Sequence, residues 1–208
     1  MIIAVDGPAA SGKGTLSKRL AQNYGLAYLD TGALYRAVAR DVQAVGGDLE
    51  DAALCVRKAK ELDAASLEDP FLREKGVGEA ASIAARHGEV RAALLDYQRS
   101  FASAPGGAVL DGRDIGTVVC PDAHVKLFVT AEPEERARRR FHQWQSQGFD
   151  VTFQDILDEI HNRDARDRER TASPLVQAAD AHLLETSQLD IEAAYKAAVD
   201  IVEGAMRR

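Results

Sequence analysis

Cysteine is nearly absent: Cys55 and Cys120 are the only two among 208 residues, and neither stands in a metal-ligand spacing. That excludes a disulfide framework and a zinc site, and it leaves two thiols used as small apolar groups. Long apolar runs are missing as well. The stretch IIAV, Ile2 to Val5, is too short for a secretory signal, and nothing approaches the ~20 consecutive apolar residues of a membrane span. A reducing cytoplasm is the expected compartment. Positive charge is in deficit, 26 basic against 33 acidic side chains for a net charge of -7. A general affinity for nucleic acid or for an anionic membrane surface is therefore not expected, and any anionic ligand must be held by a local basic cluster. There is no internal repeat and no low-complexity linker. The five histidines, at 87, 124, 142, 161 and 182, are scattered and receive no chemistry.

What is present is ordinary globular material, 46% apolar and 28% charged, in a length that suits one domain or one domain with an inserted subdomain. Four short apolar runs predict strands: IIAV, AYL (27–29), AVLD (108–111) and HVKLFV (124–129), with HLLE (182–185) as a fifth. Helical patterns alternate with them. TLSKRLAQNY is stopped by Gly25, LYRAVARDVQAV by Gly46 and Gly47, and PEERARRRFHQWQSQ opens on Pro133. Further helices are predicted over EDAALCVRKAKEL, EAASIAARHG, EVRAALLDYQRSFA and TFQDILDEIHNRDARDRER, and a last one from Ile191. Only residues 62–78, with Pro70 and mixed charge, lack a clean period. Strands that are solid apolar runs, alternating with helices, predict an α/β fold with a parallel sheet covered on both faces.

Directly behind the first strand stands GPAASGKGT, Gly7 to Thr15. A phosphate chain needs several donors converging within hydrogen-bond distance, and backbone N–H groups converge only where side chains do not intrude. Gly7, Gly12 and Gly14 allow that path, with Pro8, Ala9, Ala10 and Ser11 completing the loop. The helix behind presents its free N–H groups and positive dipole end, and Lys13 adds a mobile charge. The usual Ser/Thr after the lysine is Gly14 here, with Thr15 one place later, so no loop hydroxyl is assigned to magnesium and no protein metal ligand is named.

Such a loop serves switches, motors and kinases alike. No N-K-x-D motif is visible, which argues against a GTPase, and no apolar strand ending in a carboxylate pair, which argues against a motor. Instead, arginines follow strands and line helices. DTGALYR (30–36) follows the second strand and DGRDIGTVV (111–119) the third, so Arg36, Arg113 and Asp114 should share the cleft at the carboxyl ends of the strands. In RARRR (136–140), Arg136 and Arg140 share a face by their i,i+4 spacing. In RDARDRER (163–170), Arg163, Asp167 and Arg170 share another. A kinase with a nucleotide or small-metabolite acceptor and a nucleotide-dependent switch both remain open on these residues alone.

GPAASGKGT, DTGALYR, VGEAAS, EVRAALL, LDGRDIGTVV and RDARDRERTASPL, in this order, resemble the bacterial cytidylate kinases, nucleoside monophosphate kinases related to adenylate kinase. The resemblance spans nearly the whole chain. It implies a phosphate-loop NTPase fold of five parallel strands in one kinase domain. The core would be 1–36, 104–141 and 171–208, with a nucleotide-binding insertion at about 37–103 and a helical lid at about 142–170. The insertion is short between Leu62 and Val77 compared with the long members of the family. The implied reaction is phosphorylation of CMP or dCMP by ATP with magnesium, in a monomer. By motif, the loop Gly7 to Thr15 with Arg136 and Arg140 would bind ATP. Thr31 and Arg36 would hold the acceptor nucleotide, Arg36 and Arg113 its phosphate. Ser82, Arg91 and Asp114 would read the base, and Arg163 and Asp167 would contact the sugar side. Arg170 would reach across the phosphates; Lys13, Arg113, Arg163 and Arg170 are the expected catalytic set. Asp111 is a candidate partner to the magnesium shell, and Gly148 a candidate hinge.

Overall fold

A computed structural model of the protein describes residues 1–207. Five strands, β1 (Ile2–Asp6), β2 (Ala27–Asp30), β3 (Ala108–Gly112), β4 (Val125–Thr130) and β5 (His182–Glu185), form one sheet in the order β2-β3-β1-β4-β5. Every pairing is parallel. The α/β expectation holds. β1 illustrates why its run is uninterrupted: Ile3 and Val5 enter one apolar cluster while Ala4, pointing the other way, enters a second. A strand buried on both faces has no place for a polar alternation.

Helices α1 (Lys13–Tyr24) and α8 (Ile191–Met206) cover one face, contributing Leu16, Leu20, Ala198 and Val202 to the cluster that contains Ile3, Val5 and Leu127. Each fully buried aliphatic side chain of this kind contributes about 1.5–3 kcal/mol. Four more helices, α2 (Thr31–Ala44), α3 (Ala52–Lys60), α4 (Val77–Ala84) and α5 (Gly88–Ala102), have a core of their own built on Leu34, Val38, Val42, Val90 and Leu94. Cys55 is buried in it, and both cysteines are free thiols. The aperiodic stretch folds as two 3₁₀ turns, Ala64–Glu68 and Pro70–Arg73. Asp63 and Asp69 cap them by accepting from the N–H groups of Ala65 and Phe71 at 3.0 and 2.9 Å.

The last two helices, α6 (Pro133–Ser146) and α7 (Phe153–Glu169), pair as a hairpin around Ala137, Trp144, Ile156 and Ile160. Their turn contains Gly148 at φ 83°. One element was not legible in the sequence. Residues Ile115–Val119 form a single π-helical turn, held because the Asp6 carboxylate accepts from the N–H groups of Ile115 and Gly116, both at 2.7 Å. Among the described residues, no helix is long and apolar enough to cross a membrane.

Candidate active site

The loop between β1 and α1 is bare because its neighbours leave no room. A Cβ on Gly7 would lie 1.9 Å from the carbonyl oxygen of Val129 on β4, and Gly12, the residue before α1, has φ 88°. Ala10, at φ 59°, holds a left-handed conformation despite its side chain, a strain of the kind that functional loops retain. No side chain caps α1, so its first N–H groups stay free for a ligand. Lys13 is buried at the first position of α1, and its ammonium donates to the Pro8 carbonyl at 3.2 Å. Burial, then repulsion from Arg113, pulls its pKa down to about 7 against the attraction of Asp111 and Asp30.

Above the loop opens a cleft of about 400 Å³ at the carboxyl ends of the strands. Ala9 to Thr15 form its floor. Thr31 and Arg36 on α2, Ser82 on α4, Arg91 on α5, Arg113 and Asp114 after β3, and Arg140 on α6 line its walls. Arg163 and Asp167 of α7 and Arg170 just beyond it complete the enclosure. The structure thus brings together every residue expected to bind the acceptor.

Three of these six arginines already hold a carboxylate through a hydrogen bond. Arg36 donates to Asp30 at 2.6 Å, Arg91 to Asp114 at 2.5 Å and Arg113 to Asp167 at 2.8 Å. Arg170 donates to the Ser173 carbonyl at 2.6 Å. Yet polar atoms are left over. The Nε atoms of Arg36, Arg91, Arg140 and Arg163, Nη2 of Arg170 and the Ser11 and Ser82 hydroxyls are buried without a partner among the described residues. Burial lowers the pKa of both Arg163 and Arg170 to about 10, with neighbouring arginines, Arg113 and Arg91 respectively, adding to it. Unpaired buried donors normally cost about 1–3 kcal/mol each, and all of these belong to residues that line the cleft.

Beneath the cleft, Asp111 accepts from the Tyr28 hydroxyl at 2.6 Å and lies 3.5 Å from where a Cβ on Gly14 would stand. Burial and then the nearby Asp30 charge raise its pKa to about 6. A Cβ at position 14 would meet that carboxylate only at ordinary van der Waals distance, so the glycine is not imposed by a clash with Asp111. Thr31 donates its hydroxyl to the Asp111 carbonyl at 2.8 Å.

Three expected contacts do not reach the cleft. Gly7 and Pro8 shape the loop from behind. Arg136, only 1% exposed, turns away: it donates to both Asp164 oxygens at 3.0 and 2.5 Å, to Ala131 O at 2.9 Å and to Ala9 O at 3.2 Å. In this structure it braces the hairpin against the loop and lines neither cavity, unlike the ATP contact expected of it.

On the far side of the loop lies a second cavity of about 850 Å³, walled by Leu16, Val129, Leu189, Ile191 and Tyr195. It shares Ala10, Ser11, Gly12, Thr15, Arg140 and Gln143 with the first. Sequence reasoning missed this apolar wall, because its residues come from α1, β4 and the first turns of α8 with the residue Leu189 before it, and no motif joins them. It also missed Asp30 and Tyr35, although both lie inside DTGALYR; Arg91 packs 5.1 Å from the centre of the Tyr35 ring.

A family model described as cytidylate kinase matches residues 3–204. The chain belongs to the cytidylate kinase family. Curated cytidylate kinases of Rhodopseudomonas palustris and Xanthobacter autotrophicus are 58% and 59% identical over 203 residues, 98% of this chain and 96% and 97% of theirs. That of Azorhizobium caulinodans is 57% identical over 205 residues, covering 99% of each chain. Among solved structures, an uncharacterized protein from Eubacterium ventriosum superimposes with a TM-score of 0.57 at 12% identity over 98% of both chains, a likeness of fold.

Proposed function

We propose that the protein phosphorylates CMP and dCMP with ATP, by direct in-line transfer between two nucleotides that meet over the loop. The observation that carries this reading is the ring of arginines and Lys13, several with unpaired polar atoms, lining the small cleft in a protein of the cytidylate kinase family. Both cavities lie within the range of about 300–1,000 Å³ usual for small-molecule sites. The larger, apolar one suits the base and ribose of ATP, with its phosphates running onto the free N–H groups of the loop, Lys13 and Arg140. The smaller suits the acceptor, its phosphate between Arg36 and Arg113 and its sugar toward Arg163 and Asp167.

Cytosine presents an amino donor beside acceptor nitrogen and oxygen. Asp114 accepts from the amino group, while Arg91 and Ser82 supply donors. Uracil would set a carbonyl against Asp114, acceptor against acceptor.

The acceptor phosphate is already anionic at neutral pH, so no general base is needed. The obstacle is repulsion. Two unit charges ~4 Å apart interact by about 4 kcal/mol at an effective dielectric near 20. Lys13, Arg113, Arg163 and Arg170 offset it and stabilise the transferring group. Magnesium arrives with ATP. Such an ion keeps several waters and is held through one or two carboxylates plus phosphate oxygens, and Asp111 and Asp30 at the loop mouth suit that role.

In this reading 1–36, 104–141 and 171–208 are the core, about 37–103 the acceptor insertion, and about 142–170 a lid hinged near Gly148. The protein acts as a cytoplasmic monomer. A coupled ADP-release assay against CMP, dCMP, UMP and AMP tests it. CMP and dCMP should be consumed and UMP disfavoured by tenfold or more, about 1–3 kcal/mol. Asp114→Asn should erase most of that preference. ADP release with none of the pyrimidine nucleotides would end the proposal, and an unchanged CMP-to-UMP ratio in the variant would move base recognition elsewhere.

A further inference from the structure

The chain has a single tryptophan, Trp144, and no motif drew attention to it. Its side chain is buried near the turn end of the α6–α7 hairpin and forms part of the wall of the smaller cleft. Arg140, one turn earlier on α6, sets its guanidinium carbon 5.5 Å from the centre of the ring. Phe149, just past Gly148, meets the indole edge-on at 5.4 Å between centres. The ammonium of Lys75, in the segment between the second 3₁₀ turn and α4, lies 5.9 Å from the centre of the Phe149 ring. A continuous row, Lys75–Phe149–Trp144–Arg140, thus crosses from the α2–α5 body to the hairpin and ends at the wall common to both cavities. The indole N–H and Arg140 Nε have no partner among the described residues.

The choice of an aromatic ring has a physical consequence. Arg36, Arg91 and Arg113 are held by carboxylates, which fix a guanidinium but also cancel its charge and compete with a phosphate for its donors. A ring face confines the flexible side chain by cation–π attraction without an ion pair, and leaves the terminal N–H groups to the ligand. We propose that Trp144 is a positioning residue for phosphoryl transfer: its ring presents the Arg140 guanidinium, with no carboxylate bonded to it and Glu159 the main opposing charge, where the two nucleotides' phosphates meet. The Phe149–Lys75 contact makes that presentation depend on the hairpin closing against the α2–α5 body. This rests on the reading of Arg140 as a phosphate contact.

Steady-state kinetics with ATP and CMP on W144F, W144L, R140M and the double variant W144L/R140M test it. W144L should lower kcat about tenfold with KM for CMP within about twofold of the parent, because other residues hold the acceptor. W144F, which keeps a ring face, should restore most of the loss. In the R140M background W144L should add nothing. Parent-like kcat in W144L alongside an impaired R140M would overturn this inference alone. A fully active R140M would overturn the phosphate reading of Arg140 and this inference with it. Equal losses in W144F and W144L, or additive losses in the double variant, would reduce Trp144 to a packing residue.

The closure link has its own readout, since Trp144 is the only indole. Adding CMP and a non-hydrolysable ATP analogue should change its fluorescence, and K75A should diminish that change. An unaltered response in K75A would overturn the link to closure.

Discussion

Lys13 shows how the site waits for its ligand. Burial and the neighbouring Arg113 hold its pKa near 7 in the free protein, so above neutral pH the amine is largely uncharged. Triphosphate oxygens favour the ammonium form. Binding ATP at pH 8 should therefore take up a proton at Lys13, and affinity should fall by up to about tenfold per pH unit above 7. Calorimetry of ATP binding in two buffers of different ionisation enthalpy counts that proton. Lys13→Arg, charged at every accessible pH, should abolish the uptake; zero uptake in the parent at pH 8 would contradict the assignment. Arg136 and Arg140 make a second point at this scale. They differ by one helical turn and share a face, yet one is closed in by Asp164 and two backbone carbonyls while the other reaches both cavities.

Among the elements, the α6–α7 hairpin is held to the core by that buried Arg136. Its contacts join three segments: the loop through Ala9, the end of β4 through Ala131, and α7 through Asp164. Removing one partner of such a pair strands the other charge and typically costs about 3–5 kcal/mol, whereas replacing both by apolar groups is often neutral. Arg136→Met should lower the melting temperature by roughly 10 °C, and Arg136→Met combined with Asp164→Leu should recover much of it. If the double variant melts as low as the single one, the brace acts through something other than charge pairing. The same hairpin is tied to α4 by an Arg166–Glu79 ion pair at 2.5 Å, so it contacts the α2–α5 body as well as the loop.

Over the whole molecule the sign of charge inverts locally: an acidic protein lines one cleft with Lys13 and seven arginines against six carboxylates. Repulsion among these cations is tolerated because the fold, not their mutual attraction, fixes their positions, and the repulsion is relieved when phosphates arrive. Arg170 lies at the far rim of that assembly, 3.7 Å from Asp167 and bonded to the Ser173 carbonyl. Arg170→Ala should lower kcat by about a hundredfold or more while the melting temperature moves only a few degrees. Near-parent turnover in that variant would remove Arg170 from the chemistry.

The amino-acid sequence by itself determined the α/β class, the loop and the chain order of the arginine blocks. Those are local properties: solid apolar runs, glycine conformations and i,i+4 spacing act over a few residues and leave their mark in letters. Only the tertiary structure decided which cations face the ligand. It turned Arg136 into a brace, closed the π-helical turn on Asp6 and walled the second cavity with residues from distant elements. A side chain's role in these cases is set by neighbours a hundred or more positions away or on another helix, and no pattern within one segment encodes which neighbour will arrive.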